Sequence, residues 1–222
     1  MSELLSAVEI DPVGPVSASV VWLHGLGADG HDFAPIVSEL ALPEELGVRF
    51  VLPHAPAIPV TLNGGMVMPA WYDISEADLE RRHDEGGVRR SAQQVAELMA
   101  RENERGVPSD RIVLAGFSQG GAVALFEGLR HQNRLAGVIG LSTYLVVTES
   151  LDIEASDANK DVPIFQAHGS LDPMVPFERG EAAHQELQRR GYAVEFHSYP
   201  IPHSVSLEEI QAVRTFLMRV LA

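Results

Sequence analysis

The chain has 222 residues, 45% apolar and 21% charged, with no cysteine and a formal charge of −15. That length suits one domain with a substantial core, and the lack of cysteine excludes a disulfide framework, a thiolate nucleophile and cysteine-bound zinc. The negative balance opposes binding to nucleic acid or an anionic membrane surface. The start of the chain has no basic segment followed by an apolar one, and no apolar run is long enough to span a bilayer. A cytoplasmic protein with no integral membrane segment is therefore expected.

Ala18–Leu23 is a short apolar run of the buried-strand kind, leading into the glycine-rich turn His24-Gly25-Leu26-Gly27-Ala28-Asp29-Gly30. A helix is predicted from about Asp32 to Leu42, and a strand over Val48–Leu52 that Pro53-His54-Ala55-Pro56 stops. Val60–Leu62 and Met66–Met68 flank Asn63-Gly64-Gly65 and read as a small hairpin, which could cover a site as a flap. Residues 75–87 are charged and expected to be partly looped. Val88, Ser91, Ala92, Val95, Leu98 and Met99 recur at helical spacing, ending near Gly106-Val107-Pro108.

A second apolar run, Arg111–Ala115, leads into Gly116-Phe117-Ser118-Gln119-Gly120-Gly121 and then a small-residue helical run, Ala122–Phe126. Leu135–Leu141 reads as a strand, residues 142–161 as a long connection and Val162–Ala167 as a strand. Phe177–Arg190 reads as a helix stopped by Gly191, and Ala193–Tyr199 as the last strand. Ser206 and Glu209 have capping-box spacing before a final helix whose buried face is Ile210, Val213, Leu217 and Val220. No repeat or linker breaks the chain, so residues 1–222 are read as a single domain. Strands alternating with helices imply an α/β fold, a mostly parallel sheet with helices on both faces. In such sheets functional groups gather at the C-terminal ends of the strands.

Four such ends carry chemistry. A serine two places from a glycine on either side, between strand and helix, is the pattern of a strained turn that lifts a hydroxyl above the sheet. Serine needs an adjacent base, and the base needs a group to orient it. Asp172 follows the penultimate strand and His203 precedes the last helix, so Ser118, Asp172 and His203 occur in the order of nucleophile, acid and base. Asp152, Asp157 and Asp161 lie in a polar connection. His197 alternates within a strand, His168 ends one, and His83, His131 and His184 lie in polar surroundings. Backbone N–H groups of Gln119 and Leu26 are the expected oxyanion donors, the latter because Gly25 and Gly27 permit close approach. Gly25, Gly27 and Gly30 also satisfy a bare dinucleotide-loop spacing, but no acidic ribose partner is convincingly placed. No metal-binding or P-loop motif is present, so no metal or cofactor is expected.

These residues resemble the phospholipase/carboxylesterase family of α/β-hydrolases. The resemblance rests on Leu23-His24-Gly25-Leu26-Gly27, Pro53-His54-Ala55-Pro56, Trp71-Tyr72-Asp73, Gly116 to Gly121, His168-Gly169 with Asp172-Pro173 and Val175-Pro176, and His203-Ser204. It implies an α/β-hydrolase fold, Ser118 as nucleophile with Asp172 and His203 as partners, and donors at Leu26 and Gln119. The approach to the histidine departs from many relatives, since Pro200-Ile201-Pro202 stiffens it. Trp71, Tyr144 and Leu145 are candidates for lining an acyl pocket. The expectation is a serine carboxylesterase for short-to-medium acyl esters, acting through an acyl-enzyme on a small-molecule ester or thioester. The rivals are an acyl-protein thioesterase, a lysophospholipase, and a non-catalytic binding module.

Overall fold

The structure, a computed structural model, describes residues 4–75 and 84–222. The charged stretch 76–83, with His83, lies outside the described residues. Nine strands are present among them: β1 (Ala7–Ile10), β2 (Ala18–Leu23), β3 (Val48–Pro53), β4 (Ala57–Val60), β5 (Met66–Pro69), β6 (Ile112–Phe117), β7 (Gly137–Leu141), β8 (Ile164–Gly169) and β9 (Val194–Tyr199). The helices are α1 (Gly30–Leu40), α2 (Glu85–Glu104), α3 (Gln119–Arg130), the single turn α4 (Leu151–Glu154), α5 (Phe177–Arg189) and α6 (Leu207–Val220). No helix among the described residues is long and apolar enough to cross a membrane.

Seven strands form one sheet in the order β1-β3-β2-β6-β7-β8-β9, parallel except for β1, which runs antiparallel to β3. This is an α/β-hydrolase fold, with the sheet covered on both faces as the strand–helix alternation predicts. Side chains alternate across β2: Val21 and Leu23 enter a core shared with α2 and α3, while Val20 and Trp22 enter one shared with α1 and α6. Both β2 and β6 are buried along their length except for the last residue of β6, which accounts for their unbroken apolar runs. Burying each Val or Leu on such strands contributes about 1.5–3 kcal/mol.

The topology also fixes where a ligand can sit. From β2 the chain moves outward to β3 on one side, and returns to place β6 on the other. The strand order therefore reverses between β2 and β6, and a crevice opens at their C-terminal ends. The turn from His24 and the Ser118 turn both lie there.

Details that differ from the sequence expectation include Phe216, buried on α6 in place of half-buried Val220, the first strand and the hairpin. The strand β1 was not predicted; it is four residues long and lies at the sheet edge. The hairpin is a two-stranded antiparallel sheet, β4–β5, but its first strand is Ala57–Val60, with residues 61–63 in a tight turn. Thr61 leaves the ladder because Asp73 holds it, accepting from both Thr61 N (2.7 Å) and Thr61 Oγ1 (2.6 Å).

Candidate active site

Ser118 joins β6 to α3 with φ 54° and ψ −122°, backbone angles that L-residues rarely adopt. Such a conformation persists only where its surroundings over-determine it. Here Ser118 N donates to Leu141 O (2.8 Å), while Ser118 O accepts from Thr143 Oγ1 (2.7 Å) and Ala122 N (3.1 Å). The flanking glycines are needed for space. A Cβ on Gly116 would lie 2.4 Å from the Gly120 carbonyl, and one on Gly120 would lie 2.4 Å from His24 O.

Asp172 and His203 meet across the ends of β8 and β9. His203 Nδ1 lies 2.6 Å from Asp172 Oδ2, whose side chain is fully buried. The other carboxylate oxygen, Oδ1, accepts from Met174 N (2.8 Å) and Val175 N (2.9 Å). Asp172 therefore serves its own Asp-Pro turn with one oxygen and the histidine with the other. The proline-rich loop before His203 is tied down by Ser170 N donating to Tyr199 O (2.7 Å) and Leu171 N donating to Ile201 O (3.2 Å). The Phe117 ring, 4.6 Å away between centroids, supports the imidazole.

Ser118 and His203 both line a cavity of about 250 Å3 whose walls include Leu26, Phe33, Tyr144 and Arg179. Ser118 Oγ makes no hydrogen bond among the described residues, so it is not paired with the imidazole here. Unliganded sites are commonly loose at this contact. Leu26 and Gln119 border the same cavity, Gln119 as the first residue of α3, where backbone N–H groups have no intrahelical partner.

Two buried side chains that sequence reasoning did not single out for this purpose brace the site. His24 lies with Nε2 accepting from Ala55 N (3.0 Å) and Nδ1 at 2.7 Å from Gly25 O, which places the proton on Nδ1. Burial holds its pKa below the usual histidine value, so it is a neutral strut between the first turn and the end of β3. The side chain of Gln119 accepts from Trp71 N (2.9 Å) and donates to Tyr72 O (2.7 Å). His168 is likewise buried and depressed by desolvation, with Nε2 2.9 Å from Val175 O, so it supports the Asp172 turn.

Of the three side chains expected around an acyl group, Tyr144 lies on the cavity wall. Trp71 and Leu145 do not. Trp71 is buried beneath it, its Nε1 donating to His24 O (2.8 Å), and half-buried Leu145 packs against the core shared with α2 and α3. The walls instead use Phe33, Leu62, Ile74, Met174 and Arg179. No local pattern in the sequence assigns them to a common cavity.

The competing acids and histidines lie elsewhere. Asp152, Asp157 and Asp161 are exposed, and Asp152 pairs with Arg190. His131 meets Glu127 (2.9 Å), His197 meets Glu195 (2.8 Å), and His184 stacks on Phe196. The three ligand-bearing residues that come together among the described ones are Asp29, His31 and His54, with atoms within 4.8 Å of one another. Each is engaged locally: Asp29 and Asp32 form the capping box of α1, and His54 Nδ1 accepts from Gly30 N.

Chemically, an imidazole oriented by a buried carboxylate can take a proton from a hydroxyl beside it and return it to a leaving group. Similarity to known proteins identifies the family. The chain is 43% identical over 210 residues to acyl-protein thioesterase 1 of Neurospora crassa, covering 90% of this chain and 86% of that one. Its fold matches the crystal structure of Arabidopsis thaliana SOBER1 with a TM-score of 0.88 at 32% identity, covering 93% and 100% of the two chains. It matches Zea mays acyl-protein thioesterase 2 with a TM-score of 0.87 at 29% identity, covering 98% and 99%. The phospholipase/carboxylesterase family profile matches residues 6–221. The chain belongs to the phospholipase/carboxylesterase family of hydrolases.

Proposed function

We propose that this chain is a serine thioesterase that removes acyl groups from acylated proteins or peptides through an acyl-enzyme on Ser118. The observation that carries the mechanism is the 2.6 Å contact of buried Asp172 with His203, on the wall of the cavity that also holds Ser118. His203 Nε2 takes the Ser118 proton as Oγ attacks the acyl carbon, and the N–H groups of Leu26 and Gln119 receive the oxyanion. Collapse breaks the C–S bond, and the imidazolium returns its proton to the departing thiolate. Water then repeats the sequence on the acyl-serine and frees the acid.

The preference for a thioester over a simple ester rests on the likeness to acyl-protein thioesterases. A physical feature supports longer acyl chains than the short-to-medium range expected from the sequence. Leu62 and Met174 line the cavity and are exposed, Met66 and Val67 expose further apolar surface on β5 of the same hairpin as Leu62, and Leu171 does so on the loop that carries Met174. Each methylene that finds such surface gains about 0.8 kcal/mol. The short-to-medium carboxylesterase becomes the second reading.

A fluorophosphonate probe labels the wild-type chain once per molecule and leaves Ser118→Ala unlabelled. Matched S-acyl and O-acyl substrates of graded length then separate the two readings, with kcat/KM rising to long S-acyl chains. Labelling that survives in Ser118→Ala would falsify the nucleophile. A rate maximum at short oxygen esters, with no gain for thioesters, returns the carboxylesterase reading.

A further inference from the structure

Arg179 is the odd arginine among the described residues. Every other arginine among the described residues has a carboxylate or carbonyl partner, as with Arg49, Arg89, Arg130 and Arg190 on acidic side chains and Arg111 and Arg214 on backbone oxygens. Arg179 makes no hydrogen bond or ion pair through its guanidinium among the described residues. Acidic groups outnumber basic ones by 31 to 16 in this sequence, so lack of a nearby acid is not the general condition. The guanidinium is held by another means. It lies over the Tyr144 ring, 4.0 Å from Cζ to centroid, and the Tyr144 hydroxyl is fixed in turn 2.8 Å from that of Tyr72.

Stacking engages the face of a guanidinium and leaves its edge, with the N–H donors, free. Arg179 is half-buried in the first turn of α5 and lines the same cavity as Ser118 and His203. The rest of that wall is largely apolar, with Leu26, Phe33, Ile74 and Val175. A fixed planar fork with unused donors, set in an apolar cavity, matches a carboxylate or phosphate by two parallel hydrogen bonds. We infer that Arg179 is a specificity-determining residue that recognises an oxyanion carried by the substrate, so the preferred substrates of this site are anionic acyl thioesters or esters. The inference rests on the proposed hydrolase reading. It also explains how an anion tolerates a chain of charge −15: the attraction is local and directional, whereas the repulsion is spread out and screened by salt.

The test uses substrates alike except for one group. S-octanoyl mercaptopropionate and S-octanoyl mercaptoethyl phosphate place the anion on the leaving group, with S-octanoyl mercaptopropionamide as the neutral control. Thioesters of a dicarboxylic acid with a free terminal carboxylate, against the terminal carboxamide, place it on the acyl side. In the wild-type chain kcat/KM favours the anionic member by about tenfold or more in one arm, mainly through KM, as a charge-assisted hydrogen bond supplies. The arm that responds identifies which side of the scissile bond reaches Arg179. In Arg179→Gln the anionic-to-neutral ratio falls toward one, and Arg179→Lys, which keeps the charge without the fork, restores part of it. No preference in either arm of the wild type overturns the inference. So does an equal loss on charged and neutral substrates in Arg179→Gln, which marks a wall residue that only packs on Tyr144. Failure of the hydrolase reading has a different signature: turnover of the neutral control persists in Ser118→Ala.

Discussion

Asp172 and Glu209 are two buried carboxyl groups on either side of the loop that carries His203, and their surroundings are opposite. Asp172 collects two backbone N–H donors and an imidazole. Glu209, at 0% exposure in the first turn of α6, has no hydrogen-bond partner for either oxygen among the described residues. Burial raises the Glu209 pKa to about 7, and the Ser206 N–H, close but outside hydrogen-bonding geometry, offsets only part of that. Equal burial thus gives one side chain equipped to orient a base and another that keeps its proton into the neutral range. At Glu209 desolvation penalises the charged form because no donor replaces the lost water.

The largest effect comes from disturbing the member with donors. On the proposed mechanism Asp172→Asn lowers kcat by roughly 10³-fold or more with the fold retained, since the amide favours the wrong histidine tautomer. Steady-state kinetics beside near-UV circular dichroism checks this. Activity retained in Asp172→Asn and lost in Asp152→Asn reassigns the acid.

A smaller effect comes from neutralising the other member. Below a pH of about 4.5, the Glu209 carboxyl is protonated in both the folded and unfolded chains and makes no pH-dependent contribution. Between there and about 7 the unfolded chain releases a proton that the folded one retains, so stability falls as pH rises by about 1.4 kcal/mol per unit. Above about 7 the loss is complete. Glu209→Gln therefore stabilises the protein near pH 8 by up to about 3 kcal/mol and flattens the dependence over that window. Urea unfolding at a series of pH values measures it, and an unchanged slope would show that the carboxylate finds a partner in solution.

The smallest effect concerns the cap between them. Ser206 Oγ accepts from Glu209 N at 3.2 Å, and Ser206→Ala costs about 1 kcal/mol. A thermal melt reads it.

Much of this arrangement was legible because it depends on local chemistry. The strands of the large sheet after β1 are visible as apolar runs or, for β9, as alternation, and Ser118 is marked by the glycines that its turn requires. What stayed hidden depends on contacts between distant segments. The Ser206–Glu209 spacing predicts a reciprocal cap; the structure makes only the half in which Ser206 accepts, because the Glu209 carboxyl turns inward. Thr61 reads as a strand residue until Asp73 is seen to hold it. Trp71 reads as a pocket aromatic, yet its N–H groups are committed to His24 and Gln119. Arg179 looks like any helix-surface cation, and only the fold shows that it lines the cavity with no acid partner among the described residues.

The backbone of Ser118 has a consequence for the order in which the molecule forms. Its angles are enforced by Leu141 and Thr143, the latter 25 positions along the chain, beyond α3 and β7. Local helix formation takes microseconds or less, whereas contacts across long sequence separations come later. On the proposed mechanism, helical ellipticity therefore returns during refolding from denaturant before Ser118 becomes reactive. Pulsed labelling with a fluorophosphonate lags far-UV circular dichroism, and Thr143→Val lengthens the lag, so reactivity marks the completion of folding.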